Sequence, residues 1–316
     1  MSKARRTLAL TSLFVLSIAW AVPVVGTAHQ RVRESPSVGV ATEGALPRAI
    51  RFRDVRDRGL LVEAWINGSG PYIFAIDTGA GVSIVSPSLI NRAGLPVRKA
   101  SQKLEGGLSG SSIVSDQEAT IQELALGSPD NSLPGKLVAA LAPSLPTGLD
   151  GVLDPTEAFT PLGYSIDLPG HELQAFNTRA RPLHIEDFPE GGTVVRWIRE
   201  RGDSRPFVFL GDGRLALLDT GSGFGLAVSD ENPIGGLNHG RQTRNVSDLG
   251  GGRVQSRRVA PMTVSIGALV LGSVPTDVLT GVAPGTPVIL GRRALYPFRI
   301  TFDPTAKLIA IEPSQN

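Results

Sequence analysis

Two aspartates stand in matching surroundings. Asp77 lies in Ile76-Asp77-Thr78-Gly79-Ala80-Gly81, and Asp219 lies in Leu218-Asp219-Thr220-Gly221-Ser222-Gly223, 142 positions later. Each follows an apolar run, so each carboxylate would sit at the end of a buried strand and be held rigidly. The glycine two positions on, Gly79 or Gly221, lets the backbone turn sharply and turns amide hydrogens toward the carboxylate. Thr78 and Thr220 have hydroxyls that can bond across to the other copy and support the turns from behind. Ala80, Gly81, Ser222 and Gly223 are small and leave room for a bound backbone. Two carboxylates facing each other do not easily ionise together, so they would titrate as a pair sharing one proton. The charged member can take a proton from a trapped water. The protonated member can donate to an amide carbonyl oxygen and then help the leaving nitrogen depart.

The elements that must position these residues form an internal repeat. In the first copy, Gly59 to Phe74 reads as a strand, a turn at Asn67-Gly68-Ser69-Gly70, and a second strand leading into Asp77. In the second, Pro206 to Leu210, a turn at Gly211-Asp212-Gly213 and a further strand lead into Asp219. Downstream, Ile84, Val85, Leu89 and Ile90 precede Gly94 and Leu95, which suggests a short helix with a glycine cap. Glycine-rich hairpin candidates follow at Gly106 to Val114 and at Gly250 to Ser256. Alternating segments come next, Thr120 to Leu126 and Met262 to Ile266. The copies close on Asp150-Gly151-Val152-Leu153 with Tyr164 to Asp167, and on Val288-Ile289-Leu290-Gly291 with Phe298 to Asp303.

Composition agrees with many short strands. The 316 residues include 37 Gly and 24 Pro, both of which punctuate turns, and 41% are hydrophobic, enough for a substantial core. There is no Cys, which excludes disulfides, thiolate nucleophiles and Cys-ligated metal. His29, His171, His184 and His239 are scattered and fit no metal-ligand spacing, so they read as surface or structural residues. No Gly-x-Ser-x-Gly elbow, P-loop lysine or Rossmann helix context is present.

Residues 1–28 have the pattern of a secretory signal peptide. Lys3, Arg5 and Arg6 precede an apolar run from Leu8 to about Val25, and Gly26 and Ala28 suit cleavage before His29. Retention as a membrane anchor is the other reading of that segment. The 31 basic and 29 acidic residues of the whole chain become 28 and 29 once the segment's three cations are removed. The basic balance therefore does not argue for nucleic acid, and Arg257-Arg258 and Arg292-Arg293 read as solvated pairs. The expected organisation is a signal peptide over 1–28, an irregular leader over 29–50, a first lobe over 51–180, an inter-lobe segment over 181–200 and a second lobe over 201–316. The expected location is the periplasm or the exterior of a bacterial cell.

On these motifs the chain resembles the aspartic protease superfamily, in both its retroviral-like and its pepsin-like branches, over most of residues 55–312. The resemblance implies an all-β, bilobal fold of two homologous β-barrel-like lobes with short helices. It implies that Asp77 and Asp219 are the catalytic pair, supported by Thr78, Gly79, Thr220 and Gly221. Ile289-Leu290-Gly291 matches the family's element beneath the second turn. In the first copy Asp154 stands where that element has Gly, and either crowds the turn or places an extra carboxylate below it. The pepsin-like flap tyrosine is absent. Gly106-Gly107-Leu108-Ser109-Gly110 is closer to a glycine-rich retroviral flap, suited to a moving lid. The implied partner is a polypeptide in extended conformation, with no metal, organic cofactor or nucleic acid. A peptide-binding module that does not cut, or an exported β-rich structural protein, would share many of these features.

Overall fold

The computed structural model describes residues 45–315 apart from 111–112, 144, 200–202, 232–242 and 249–251. The expected signal peptide, His29, His239 and the tip of the Gly250 hairpin candidate lie outside the described residues.

The Asp77 hairpin pairs Gly59–Ile66 with Ser69–Ile76 in antiparallel register, Leu60 opposite Ile76. Its turn carries Asn67 and Gly68 at φ of 49° and 78°, the left-handed pair that matches the twist of a tight hairpin. Asn67 Oδ1 accepts the backbone N–H groups of Gln122 and Glu123, which ties the turn to the neighbouring chain. Ser69–Ile76 then lies parallel to Gly151–Leu153, which is antiparallel to Ile84–Val85. Ile84–Val85 runs parallel to Leu137–Leu141, and Ile113–Ile121 and Val97–Gly106 follow antiparallel. The short helix begins after Ile84 and Val85, which are strand. It is α1 (Pro87–Ala93), capped by the Ser86 side chain and ended by Gly94 in the left-handed conformation.

The second copy repeats this order. Phe207–Phe209 pairs with Leu215–Asp219, which lies parallel to Val288–Gly291. Val288–Gly291 is antiparallel to Leu226–Ser229, which is parallel to Leu269–Thr280. Arg253–Ile266 and Thr243–Ser247 follow antiparallel. Ser247 pairs with Arg253, and Ser256 lies inside a strand opposite Arg244 and not in a turn. The internal repeat is thus a repeat of strand pairing as well as of residues.

The copies meet in a third sheet. Gly163–Asp167 of the first pairs with Phe298–Asp303 of the second, Tyr164 opposite Phe302 and Ile166 opposite Ile300. Glu172–Phe176 with Ile50–Arg51 and Leu308–Pro313 with Thr193–Arg196 extend it on either side. Stacked Tyr164 and Phe302 rings, 4.7 Å apart, mark its centre, with Phe159 and Trp197 against them. One large hydrophobic cluster contains residues of both copies, including Phe74, Ile76, Leu218 and Leu290.

The expected barrel-like lobes are not what forms. A barrel closes only when the end strands of one sheet bond to each other. Here Arg53–Val55 and Val97–Gly106 end one sheet and Phe207–Phe209 and Thr243–Ser247 end another, and neither pair is joined. Among the described residues the fold is three open sheets with few short helices. The strands that close each copy leave it to build the shared third sheet, and Ala45–Asn316 form one unit. No helix among the described residues is long and apolar enough to cross a membrane.

Candidate active site

The two aspartates come together at the junction of the copies. Asp77 follows its strand directly, and its N–H donates to Leu153 O at 3.0 Å. Asp219 ends its own strand opposite Gly291. The turns behind them interlock. Thr78 Oγ1 donates to Leu218 O at 2.7 Å and accepts the Thr220 N–H at 3.0 Å. The Thr78 N–H donates to Thr220 Oγ1 at 3.1 Å. Both threonines are fully buried, so these bonds are shielded from water.

The glycines set how closely the turns approach. A Cβ on Gly79 would lie 2.6 Å from Cγ of Asp219, and one on Gly221 would lie 2.3 Å from Cγ of Asp77. Each motif glycine thus packs against the other motif's carboxyl, and no larger residue fits. The Gly79 N–H donates to Asp77 Oδ1 and the Ser222 N–H to Asp219 Oδ1, each at 2.8 Å. The two carboxyls lie within hydrogen-bonding reach of each other.

Burial raises the Asp77 carboxyl above its ordinary range, against the Gly79 N–H, which lowers it. Burial first, and then the charge of Asp77, hold Asp219 well above the carboxylate range. The pair as a whole therefore keeps a proton that isolated aspartates would lose. Arg292 opposes this from one side by favouring charge on both aspartates.

Arg292 was expected at the surface and is 8% exposed. It opens α3 (Arg292–Leu295), and its Nη1 donates to Thr220 O at 3.0 Å and Gly221 O at 3.4 Å. Its Nε lies 3.7 Å from Asp54 Oδ1. The residue follows Gly291, which pairs with Asp219. That adjacency is the signal in the sequence that could have placed it behind the second turn.

Asp154 does not crowd its turn. It is fully buried and caps α2 (Pro155–Phe159), Oδ1 accepting the Thr156 N–H at 2.8 Å. Of the two outcomes open for this position, the extra carboxylate is the one found. Gly291 has no such freedom, because a Cβ there would meet Phe224 O at 2.6 Å and Ser222 O at 2.9 Å.

The flap candidate is the turn of a hairpin between Val97–Gly106 and Ile113–Ile121. Gly106 ends the first strand, and Gly107, Leu108, Ser109 and Gly110 make the turn, with the Gly110 N–H donating to Gly107 O. Leu108 packs on the second copy's Phe224, Ala227, Leu279 and Ile289, and its O accepts the Ala283 N–H at 2.9 Å. The tip therefore spans from the Asp77 copy to the Asp219 copy. The His171 ring lies tilted against Phe52, 5.7 Å between centroids, and the His184 backbone N–H donates to Asp187 Oδ2. Among the described residues no group of three or more His, Cys, Asp or Glu is arranged to hold a metal ion.

Residues 62–153 match a family described as aspartyl protease. That range holds Asp77, the flap candidate and the strand beneath the first turn. It stops before Asp154 and does not include the second copy. No curated protein matches the chain.

Proposed function

We propose that the chain is an aspartic endopeptidase in which Asp77 and Asp219 hydrolyse peptide bonds with a water activated between them. The observation that carries this reading is the interlocked pair of turns, which brings two raised carboxyls within hydrogen-bonding reach. The ionised carboxyl acts as general base toward the water, and the protonated one donates to the scissile carbonyl oxygen. As the C–N bond breaks, the carboxyl that took the water's proton passes it to the departing nitrogen, and the other takes a proton back from a hydroxyl of the tetrahedral intermediate, which returns the pair to its starting one-proton state. Thr78, Gly79, Thr220 and Gly221 hold the geometry and do not take part in proton transfer.

The substrate is a polypeptide in extended conformation, lying between the catalytic turns and the Gly106–Gly110 hairpin. Strand-like backbone bonding to that hairpin gives affinity with little dependence on side chains. The chain supplies both aspartates, so a monomer is sufficient. Export to the periplasm or exterior is part of the same proposal and rests on the pattern of residues 1–28.

The test is a library of internally quenched peptides assayed from pH 3 to pH 8. The expected result is cleavage at internal bonds, blocked by a statine-containing peptide. Peptides that bind the protein and remain intact at every pH would overturn this reading in favour of a binding module.

A further inference from the structure

Asp154 occupies in the first copy the place that Gly291 holds in the second. Leu153 is paired with Ile76, so Asp154 lies beside Asp77, just as Gly291 is paired with Asp219. The two copies therefore differ behind their turns, with a carboxyl at one and no side chain at the other.

Each oxygen of the Asp154 carboxyl has a hydrogen-bond donor. Oδ1 takes the Thr156 N–H, and Oδ2 takes the Ser204 hydroxyl at 2.8 Å. Ser204 Oγ also lies 3.1 Å from Gly81 O, at the far end of the first catalytic turn. Ser204 comes from the start of the second copy, just ahead of Phe207–Phe209, and its neighbour Arg205 lies over Gly81, paired through its guanidinium with Asp203. One hydroxyl, fifty residues along the chain from Asp154, thus lies between the turn that carries Asp77 and that buried carboxyl.

We propose that Asp154 is a positioning residue for the first turn: it anchors Ser204, which lies against Gly81, and its charge, on the strand beside Asp77, helps the catalytic pair keep its shared proton. The proposal rests on the protease reading above. Repulsion between Asp77 and Asp154 is mutual, so an ionised Asp154 makes the last proton on the pair harder to lose. Burial pushes Asp154 up to about 6, and the charge of Asp77 pushes the same way, while Ser204 and Thr156 oppose. The other groups around it are Glu157 in α2, Tyr164 on the shared sheet, Asp203 and Arg205 beside Ser204, and Arg199. Burial raises Glu157 to about 7, and Asp154 adds to that shift. Glu157 is therefore the rival for any ionisation seen near neutrality.

Asp154→Asn separates charge from structure. An amide oxygen still caps Thr156, and the amide nitrogen can donate to Ser204 Oγ. The expected result is an upper limb of the kcat/KM–pH profile moved toward acid by about one unit, with KM little changed. Glu157→Gln should move it less. Ser204→Ala should lower kcat about fivefold, the equivalent of one hydrogen bond, and Ser204→Thr should restore it. Carbon-13 NMR titration of the Asp carboxyls, without substrate, reads the same coupling independently of cleavage. In Asp154→Asn the upper ionisation of Asp77 and Asp219 should fall. An unchanged titration of that pair in a folded Asp154→Asn protein would overturn the proposal. Full cleavage by Asp77→Asn would instead overturn the protease reading, whatever the titration shows.

Discussion

Asp77→Asn and Asp219→Asn are each expected to lower peptide cleavage by about 10³-fold, within the range for loss of a general acid or base. The fold should survive, because an amide oxygen can still accept the Gly79 or Ser222 N–H. Stability should move the other way from activity. Both carboxyls are raised in the folded protein, which therefore binds their protons more tightly than the unfolded chain does. Their contribution to stability is full below about pH 4, the ordinary range of an unfolded aspartate, and is lost as pH rises through the folded values. Removing one charge removes part of that loss. Each variant should melt above the wild type at pH 7 and close to it at pH 3, by calorimetry at the two pH values. A variant that cuts at the wild-type rate would separate that aspartate from the chemistry.

Thr78→Val should have the largest effect on the fold. Valine keeps the shape and removes the hydroxyl. Leu218 O then loses its donor and the Thr220 N–H its acceptor, both in a fully buried place. Each unsatisfied group costs about 1–3 kcal/mol, so a total of about 2–6 kcal/mol is expected in denaturant unfolding. Thr220→Val removes the acceptor of the Thr78 N–H, and the two changes should not be additive, because they break one network. kcat should fall more than KM rises, since the turns orient the aspartates and do not grip the substrate. A loss below about 0.5 kcal/mol, the size of an ordinary surface change, would show that the cross-bonds do not hold the turns together.

How much of this could be read from the residues depends on how local each feature is. The Asn67-Gly68 turn and the Gly94 cap were legible because their conformations are set by the residues themselves. The pairing of two Asp-Thr-Gly motifs was legible because the whole hairpin repeats around each. The shared sheet was not, since nothing near Tyr164 announces that its partner is Phe302. That pairing is also why closed lobes were expected and open sheets are found. An Arg-Arg pair reads as surface by composition, and only the pairing of Gly291 with Asp219 takes Arg292 inside. Asp154 was noticed as a departure from pattern, but its direction depends on Ser204, which no spacing rule connects to it.

Calorimetric titration with a statine-containing peptide bears most directly on the claim that one site is built from both aspartates. One peptide should bind per monomeric chain, and binding should weaken by about 100-fold or more, roughly 2.7 kcal/mol, in both Asp77→Asn and Asp219→Asn. Wild-type affinity and stoichiometry in either variant would contradict a shared site.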